Sequence, residues 1–293
     1  MKILLKNDNP VSEMYLRYKD LFEKSDKYDC VVLSRNCEED VLKSYKRILL
    51  IEKLDCASIW CRNQLKHPHV KTLLKLYHYK NLNIHNKSCV GGRAFIPYDG
   101  TQTTLLPELT QEDFNKVQPG LNFLHYKHME TLFDILKNSE LKPTNMRAHQ
   151  SFFAGTTKYI ASTPSPAGRW ISRHRLKHIQ RLKSLQESQM DVIISDNKSY
   201  PQSEYYQIMM DTKMIYSPFG WGEFCYRDYE AILCGCVLMK PFFSETIQIP
   251  DIRPCIKFIE DYNMEDPPNT AHYSEWLRKE KENEKQIIER ILE

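Results

Sequence analysis

Short, continuous apolar runs separated by stretches with helical periodicity limit the fold of this chain more than any other feature. Residues 3–5 (ILL), 30–33 (CVVL) and 48–51 (ILLI) are such runs in the first half. "SFFAGTT" (151–157), "DVIIS" (191–195), "MIYS" (214–217) and "VLMKP" (237–241) are their counterparts in the second. Runs of strand length that are apolar on both sides belong to strands covered on both faces, and strands that alternate with helices pair in parallel. The expectation is an α/β protein with two parallel-sheet halves of similar size, with helices over 172–188 and 203–211 and another from Phe224 to Cys234. "LKPTN" (141–145) reads as the linker, which places one domain at 1–143, a second at 144–270 and a C-terminal helix at 271–293. Trp276, Ile287, Ile288, Ile291 and Leu292 give that helix a face to pack back on the N-terminal domain.

At 293 residues and 41% apolar content, the chain can bury a sizeable core. Its 41 basic and 38 acidic residues leave a net charge of +3, too balanced for a protein that coats nucleic acid, so no nucleic-acid partner is expected and any anion site must be local. The nine cysteines are odd in number and lack C-x-x-C spacing, as buried thiols of a reducing compartment do. "MKILLKNDNP" has too short an apolar run for a signal peptide and no stretch is long enough to span a bilayer, so the expected location is the cytoplasm.

The chemistry concentrates in "SPFGWGEFCYRDYEA" (217–231), where two of only nine glycines flank Trp221 between a strand and a helix. In open α/β sheets ligands bind beyond the carboxyl ends of strands, against helix N-termini that favour negative charge. Gly220 and Gly222 permit close backbone approach, Arg227 offers a planar fork to a phosphate, and Glu230 accepts from ribose hydroxyls. Glu223, Arg227 and Glu230 share one stripe at 100° per residue, and an exposed salt-bridge ladder is the competing reading of that stripe. In "GRWISRHRLKHIQRLKSL" (168–185), Ser172 reads as an N-cap, which puts Arg173 and Arg175 in a first turn beside a diphosphate. The same cations also read as a solvated face, or as an RNA-binding patch over 169–183. The His174 and His178 pair lacks a third zinc ligand.

The run "SPFGWGEFCYRDYEAILCGCVLMKP" resembles the donor-site segment of exostosin-like glycosyltransferases, in which a glycine-containing loop leads into an Arg-x-x-Glu-Ala helix that closes on Gly-Cys and a strand. Arg227, Glu230, Ala231, Gly235, Cys236 and Val237 carry the match, which covers about 150–250; Leu238 stands where the family usually has proline. The resemblance implies a GT-B architecture, two Rossmann-like domains facing a cleft, and a UDP-sugar donor held by Arg173, Arg175, Ser217, Gly220, Trp221, Gly222, Glu223, Arg227 and Glu230. It implies an inverting transfer to a glycan hydroxyl and, by similarity to the small xylosyltransferases of chloroviruses, xylose as the sugar. No strict Asp-x-Asp pair occurs, so no metal cofactor is expected. The general base would come from the first half, past a strand end: Asp55 first, then Glu52 and Asp8, with His149 behind them. A noncatalytic nucleotide-binding protein and an RNA-binding module are the competing readings.

Overall fold

A computed structural model of the protein describes residues 2–4, 15–34, 37–52, 59–75, 78–86, 107–120, 126–158, 166–188, 190–196, 199–220, 223–241, 246–247, 252, 255–258 and 279–293. Two compact units divide the chain: residues 1–126, 244–251 and 280–293 form the first, and 127–243 with 252–279 form the second.

The first unit is built on five parallel strands, β1 (Lys2–Leu4), β2 (Cys30–Leu33), β3 (Ile48–Glu52), β4 (Val70–Lys75) and, after the short β5 (His78–Tyr79), β6 (Val117–Pro119), in the spatial order β1-β2-β3-β4-β6. Helices α1 (Lys19–Lys24), α2 (Glu39–Ser44), α3 (Arg62–Leu65), α4 (Leu82–Asn86) and α5 (Gln111–Asn115) connect them. Every residue of β2 and β3 is buried, because alternate side chains enter two separate cores. Cys30, Val32, Ile48 and Leu50 join Leu65, Val70 and Phe114 on one face. Val31, Leu33, Leu49 and Ile51 join Tyr15, Phe22 and Ile288 on the other.

Ile288 belongs to the last helix of the chain, which therefore completes the core of this first unit. The Tyr18 hydroxyl donates to Glu284 Oε2 at 2.8 Å, and Lys27 Nζ donates to the Ile291 carbonyl at 2.9 Å. A lysine on a final-turn carbonyl satisfies an otherwise orphaned acceptor at the negative end of the helix dipole.

The second unit repeats the plan after α6 (Tyr126–Lys137): β7 (His149–Gly155), α7 (Pro166–Glu187), β8 (Val192–Asp196), α8 (Gln202–Met210), β9 (Thr212–Tyr216), α9 (Tyr226–Leu233) and β10 (Val237–Lys240). The two-residue β11 (Thr246–Ile247) pairs antiparallel with β5 as a separate two-stranded sheet, and β12 (Ile256–Phe258) joins the second unit's sheet. That sheet has the order β12-β10-β9-β7-β8 and is parallel throughout. The α/β class and the two parallel sheets inferred from the apolar runs are thus present.

Two helix starts differ from the sequence reading. α7 begins at Pro166, whose fixed φ and missing N–H suit a first helical position, six residues before the inferred Ser172 cap. α9 begins at Tyr226, because the Asp228 side chain reaches back to the Cys225 N–H at 2.9 Å and closes a capping box. Its end follows the inferred cap: Gly235 takes φ 68°, and the Cys236 N–H donates to Ala231 O at 2.8 Å.

The seven described cysteines are all free thiols, and all but Cys225 are buried. Among the described residues, no helix is long and apolar enough to cross a membrane.

Candidate functional site

All strands of the second sheet run the same way, so their carboxyl ends share one edge. Gly155, Asp196, Tyr216 and Lys240 end β7, β8, β9 and β10 there. The residues following β9, 217–220, form the loop singled out by the sequence, and all four are buried.

Two arginines meet at this edge. Arg175, 4% exposed, donates from Nε to the Phe219 carbonyl at 2.9 Å and from Nη1 to the Thr156 carbonyl at 2.8 Å. It reaches the edge from two and a half turns inside α7, not from a first turn, so its length and not the helix dipole places its charge. Arg227, in the first turn of α9, donates from Nη1 to Ser217 Oγ at 3.5 Å and lies over the Phe153 ring, 5.6 Å from its centroid. A Cβ on Gly155 would stand 2.8 Å from Arg227 Nη2 and 3.4 Å from Arg175 Nη1, so a side chain at the end of β7 would push the tip of Arg227 aside. The Nε of Arg227 is buried without a hydrogen-bond partner. Leaving such a donor unmet costs about 1–3 kcal/mol.

Neighbouring groups fix the loop. Consecutive residues of α7 take both main-chain groups of Phe219: its carbonyl accepts from Arg175, and its N–H donates to His174 Nε2 at 3.3 Å. The His174 ring is stacked between Trp170 at 4.6 Å and Phe219 at 5.1 Å. Burial, then the surrounding cations, lower its pKa to about 3, so the imidazole is the neutral acceptor this bond requires.

Beneath the loop lies an ion pair that the sequence reading missed. Lys240 Nζ and Asp228 Oδ2 are 2.8 Å apart with both side chains fully buried. Lys240 also donates to the Ser217 carbonyl at 3.2 Å, and Asp228 accepts from the Ser217 hydroxyl. The signals were present as an acid at the third helical position in "YRDYEA" and a lysine closing the apolar strand "VLMK".

The remaining inferred site residues are placed as follows. Glu230, 3% exposed, accepts from the Tyr205 hydroxyl at 2.9 Å and the Tyr206 hydroxyl at 3.1 Å, so each carboxylate oxygen already holds one donor. Burial first, then the charge of Glu230, raise both phenol pKa values. Glu223 is buried and precedes α9, so the stripe of Glu223, Arg227 and Glu230 is not a helical ladder. Arg173 is exposed on the outer side of α7, away from the buried face that carries Arg175. His149 opens β7 at the opposite, amino edge of the sheet, 2.8 Å from Asp191. Glu52 does end a strand of the first unit, but its carboxylate is a buried counter-ion: Oε1 lies 2.9 Å from Lys75 Nζ, and Oε2 accepts from the Trp60 N–H at 2.8 Å. Asp8, Asp55, Trp221, Gly222 and Trp276 lie outside the described residues. No group of three metal-ligating side chains occurs among the described residues.

The outer face of α7 is unusual in its charge. Arg169, Arg173, Lys177 and Arg181 recur at four-residue spacing, all exposed. Three like-charged i,i+4 pairs cost about 0.2–0.5 kcal/mol each.

No protein-family model and no curated protein matches the chain, so the exostosin-like resemblance rests on the residues quoted above. Similar solved structures include an alpha-glucosyltransferase in complex with UDP and a 13-mer DNA containing a HMU base, at 11% identity over 99% of this chain and 93% of that one, with a TM-score of 0.31. An alpha-glucosyltransferase in complex with UDP-glucose and DNA containing an abasic site matches at 11% identity over 95% of this chain and 78% of that one, also at a TM-score of 0.31. Likeness at that level is slight, and the fold stands on its own strand order.

Proposed function

We propose that the protein is a glycosyltransferase that holds a UDP-sugar at the carboxyl edge of the second sheet and passes the sugar to an acceptor hydroxyl. The observation that carries this reading is the convergence of Arg175 and Arg227 on Gly155, with a buried Arg227 Nε still lacking a partner. A nucleoside diphosphate leaving group gains negative charge as the sugar departs, and guanidiniums already held in place stabilise that charge without reorganising. Arg227 supplies the fork. Arg175, with two of its donors bound to Phe219 and Thr156, sets the loop and adds its charge.

In this reading Glu230 acts on the ribose through the Tyr205 hydroxyl it orients as well as through its own oxygens. Arginines in place of a divalent ion make the transfer metal-independent. One general base from the first unit makes it inverting, with Asp55 or Asp8 the carboxylates left once Glu52 is committed to Lys75. A glycan hydroxyl is the acceptor and xylose the sugar that the exostosin-like segment suggests.

Calorimetric titration of UDP and of uridine, each with EDTA present, tests the site. Binding of UDP well above uridine supports it, and equal weak binding of both overturns it. Release of UDP from UDP-sugars in the presence of acceptor panels then separates a transferase from a protein that merely binds the nucleotide.

A further inference from the structure

The outer face of α7 carries a second anion surface that the nucleotide reading leaves unused. Arg169, Arg173, Lys177 and Arg181 stand one above another at four-residue spacing, so the file extends about 18 Å along the helix. Between Arg169 and Arg181 the helix carries no carboxylate. Other helices of this protein treat surface cations differently. Lys19 pairs with Glu23 in α1, Lys43 with Glu39 in α2, Lys137 with Asp134 in α6 and Lys285 with Glu289 in the last helix, Glu280–Leu292. Among the described residues none of these four cations of α7 has such a partner. Like charges stacked in this way repel, and an external polyanion relieves that repulsion.

We infer that this face binds double-helical nucleic acid through its phosphates. Charge complementarity selects a linear polyanion, whose phosphates the four cations can neutralise one each. The aromatic platform that single-stranded nucleic acid needs is missing from the arc: Trp170 is half-buried and stacked on His174. Helices that lie in membrane interfaces bury an apolar face among lipids, whereas the apolar face of α7, with Ile171, Ile179 and Leu182, is spent on the protein core and exposes only Leu176. Side chains that contact phosphates alone fix position without reading sequence, so the surface is indifferent to base order. A net charge of only +3 describes the whole chain and conceals this local file.

Fluorescence anisotropy of labelled 25-base-pair duplexes of two unrelated sequences, at 50–200 mM KCl, tests the inference. The wild-type chain should bind both alike, with log affinity falling against log salt at a slope of about −4, as four phosphate contacts at roughly 0.9 each require. Arg169→Gln/Lys177→Gln/Arg181→Gln removes three exposed charges while keeping good helix formers. It should lose at least tenfold in affinity at 50 mM and about three from the slope. An unchanged slope in this variant, no duplex binding by the wild type at 50 mM, or tighter binding to phosphatidylserine vesicles than to duplex would each overturn it. The surface is independent of the nucleotide site: UDP titrated into the same variant reports on that site alone, so failure of one proposal is distinguishable from failure of the other.

Discussion

Replacing Arg227 by alanine should weaken the diphosphate nucleotide strongly while sparing the unliganded fold. Without ligand, the guanidinium makes one 3.5 Å hydrogen bond to Ser217 and has a buried Nε with no acceptor; burial disfavours its charge, and the neighbouring Cys225, Tyr205, Asp228 and Glu230 outweigh that cost. Removing that side chain relieves a desolvation cost of about 1–3 kcal/mol, which offsets the packing lost over Phe153. With UDP bound, the same group makes charge-assisted hydrogen bonds worth about 1.5–3 kcal/mol, so its loss should lower UDP affinity roughly 10- to 150-fold. Uridine has no phosphate and should bind the variant as it binds the wild type. Calorimetry gives both affinities, and a thermal melt of the ligand-free protein gives the stability. A melting temperature within about 3 °C of wild type is expected, since 1 kcal/mol moves a protein of this size by a few degrees. Equal losses for UDP and uridine, or a collapse of the ligand-free melt with UDP affinity retained, would refute the assignment of Arg227 to the diphosphate.

Gly155→Ala should act on the same pair from the other side: its Cβ would meet Arg227 Nη2 at 2.8 Å and displace it, so UDP affinity should fall at least tenfold, and unaltered affinity would show that the arginine does not need that space. Stability should fall with acid, because His174 and His78 have folded pKa values near 3 and 4, while the unfolded chain takes up protons below about 6.5. Above that pH both states are neutral and nothing is lost; below it the unfolded state binds up to two more protons, or about 2.7 kcal/mol per pH unit, and a urea midpoint that stays flat from pH 7 to pH 5 would contradict it. Deleting residues 280–293 uncovers Tyr15, Phe22 and Leu49 by removing Ile288, and should destabilise the first unit; proteolysis that cuts both units at the wild-type rate would argue otherwise.

How far the sequence reveals the molecule depends on which physical signal each part carries. Strands β2, β3 and β9 are legible because burial on both faces demands an unbroken apolar run, and "CVVL", "ILLI" and "MIYS" are such runs. The end of α9 is legible because a left-handed φ selects glycine at 235. The start of α7 is not: Ser172 has the chemistry of an N-cap, yet Pro166 begins the helix, so Arg173 and Arg175 lie in its interior, one exposed and one buried. A wheel drawn from the wrong origin still separates the two, but it cannot say which of them the sheet edge takes.

The Lys240–Asp228 pair escapes sequence reasoning for a deeper reason. Its two members are twelve positions apart, and nothing in either local pattern names the other. Burying two charges costs several kcal/mol unless further hydrogen bonds satisfy them, and here the Cys225 N–H, the Ser217 hydroxyl and the Ser217 carbonyl do so. Such a pair adds little net stability, but breaking it strands a buried charge. Ser217 also accepts from Arg227, so the pair sets where the arginine can point. Lys240→Met should therefore cost about 3–5 kcal/mol of stability by orphaning Asp228, whereas Lys240→Met/Asp228→Leu should recover most of that loss. If the pair positions Arg227, the stable double variant should still bind UDP more weakly than wild type while binding uridine normally. Full UDP affinity in that double variant would reduce the pair to a structural pin and leave the direction of Arg227 to the Phe153 ring and Gly155 alone.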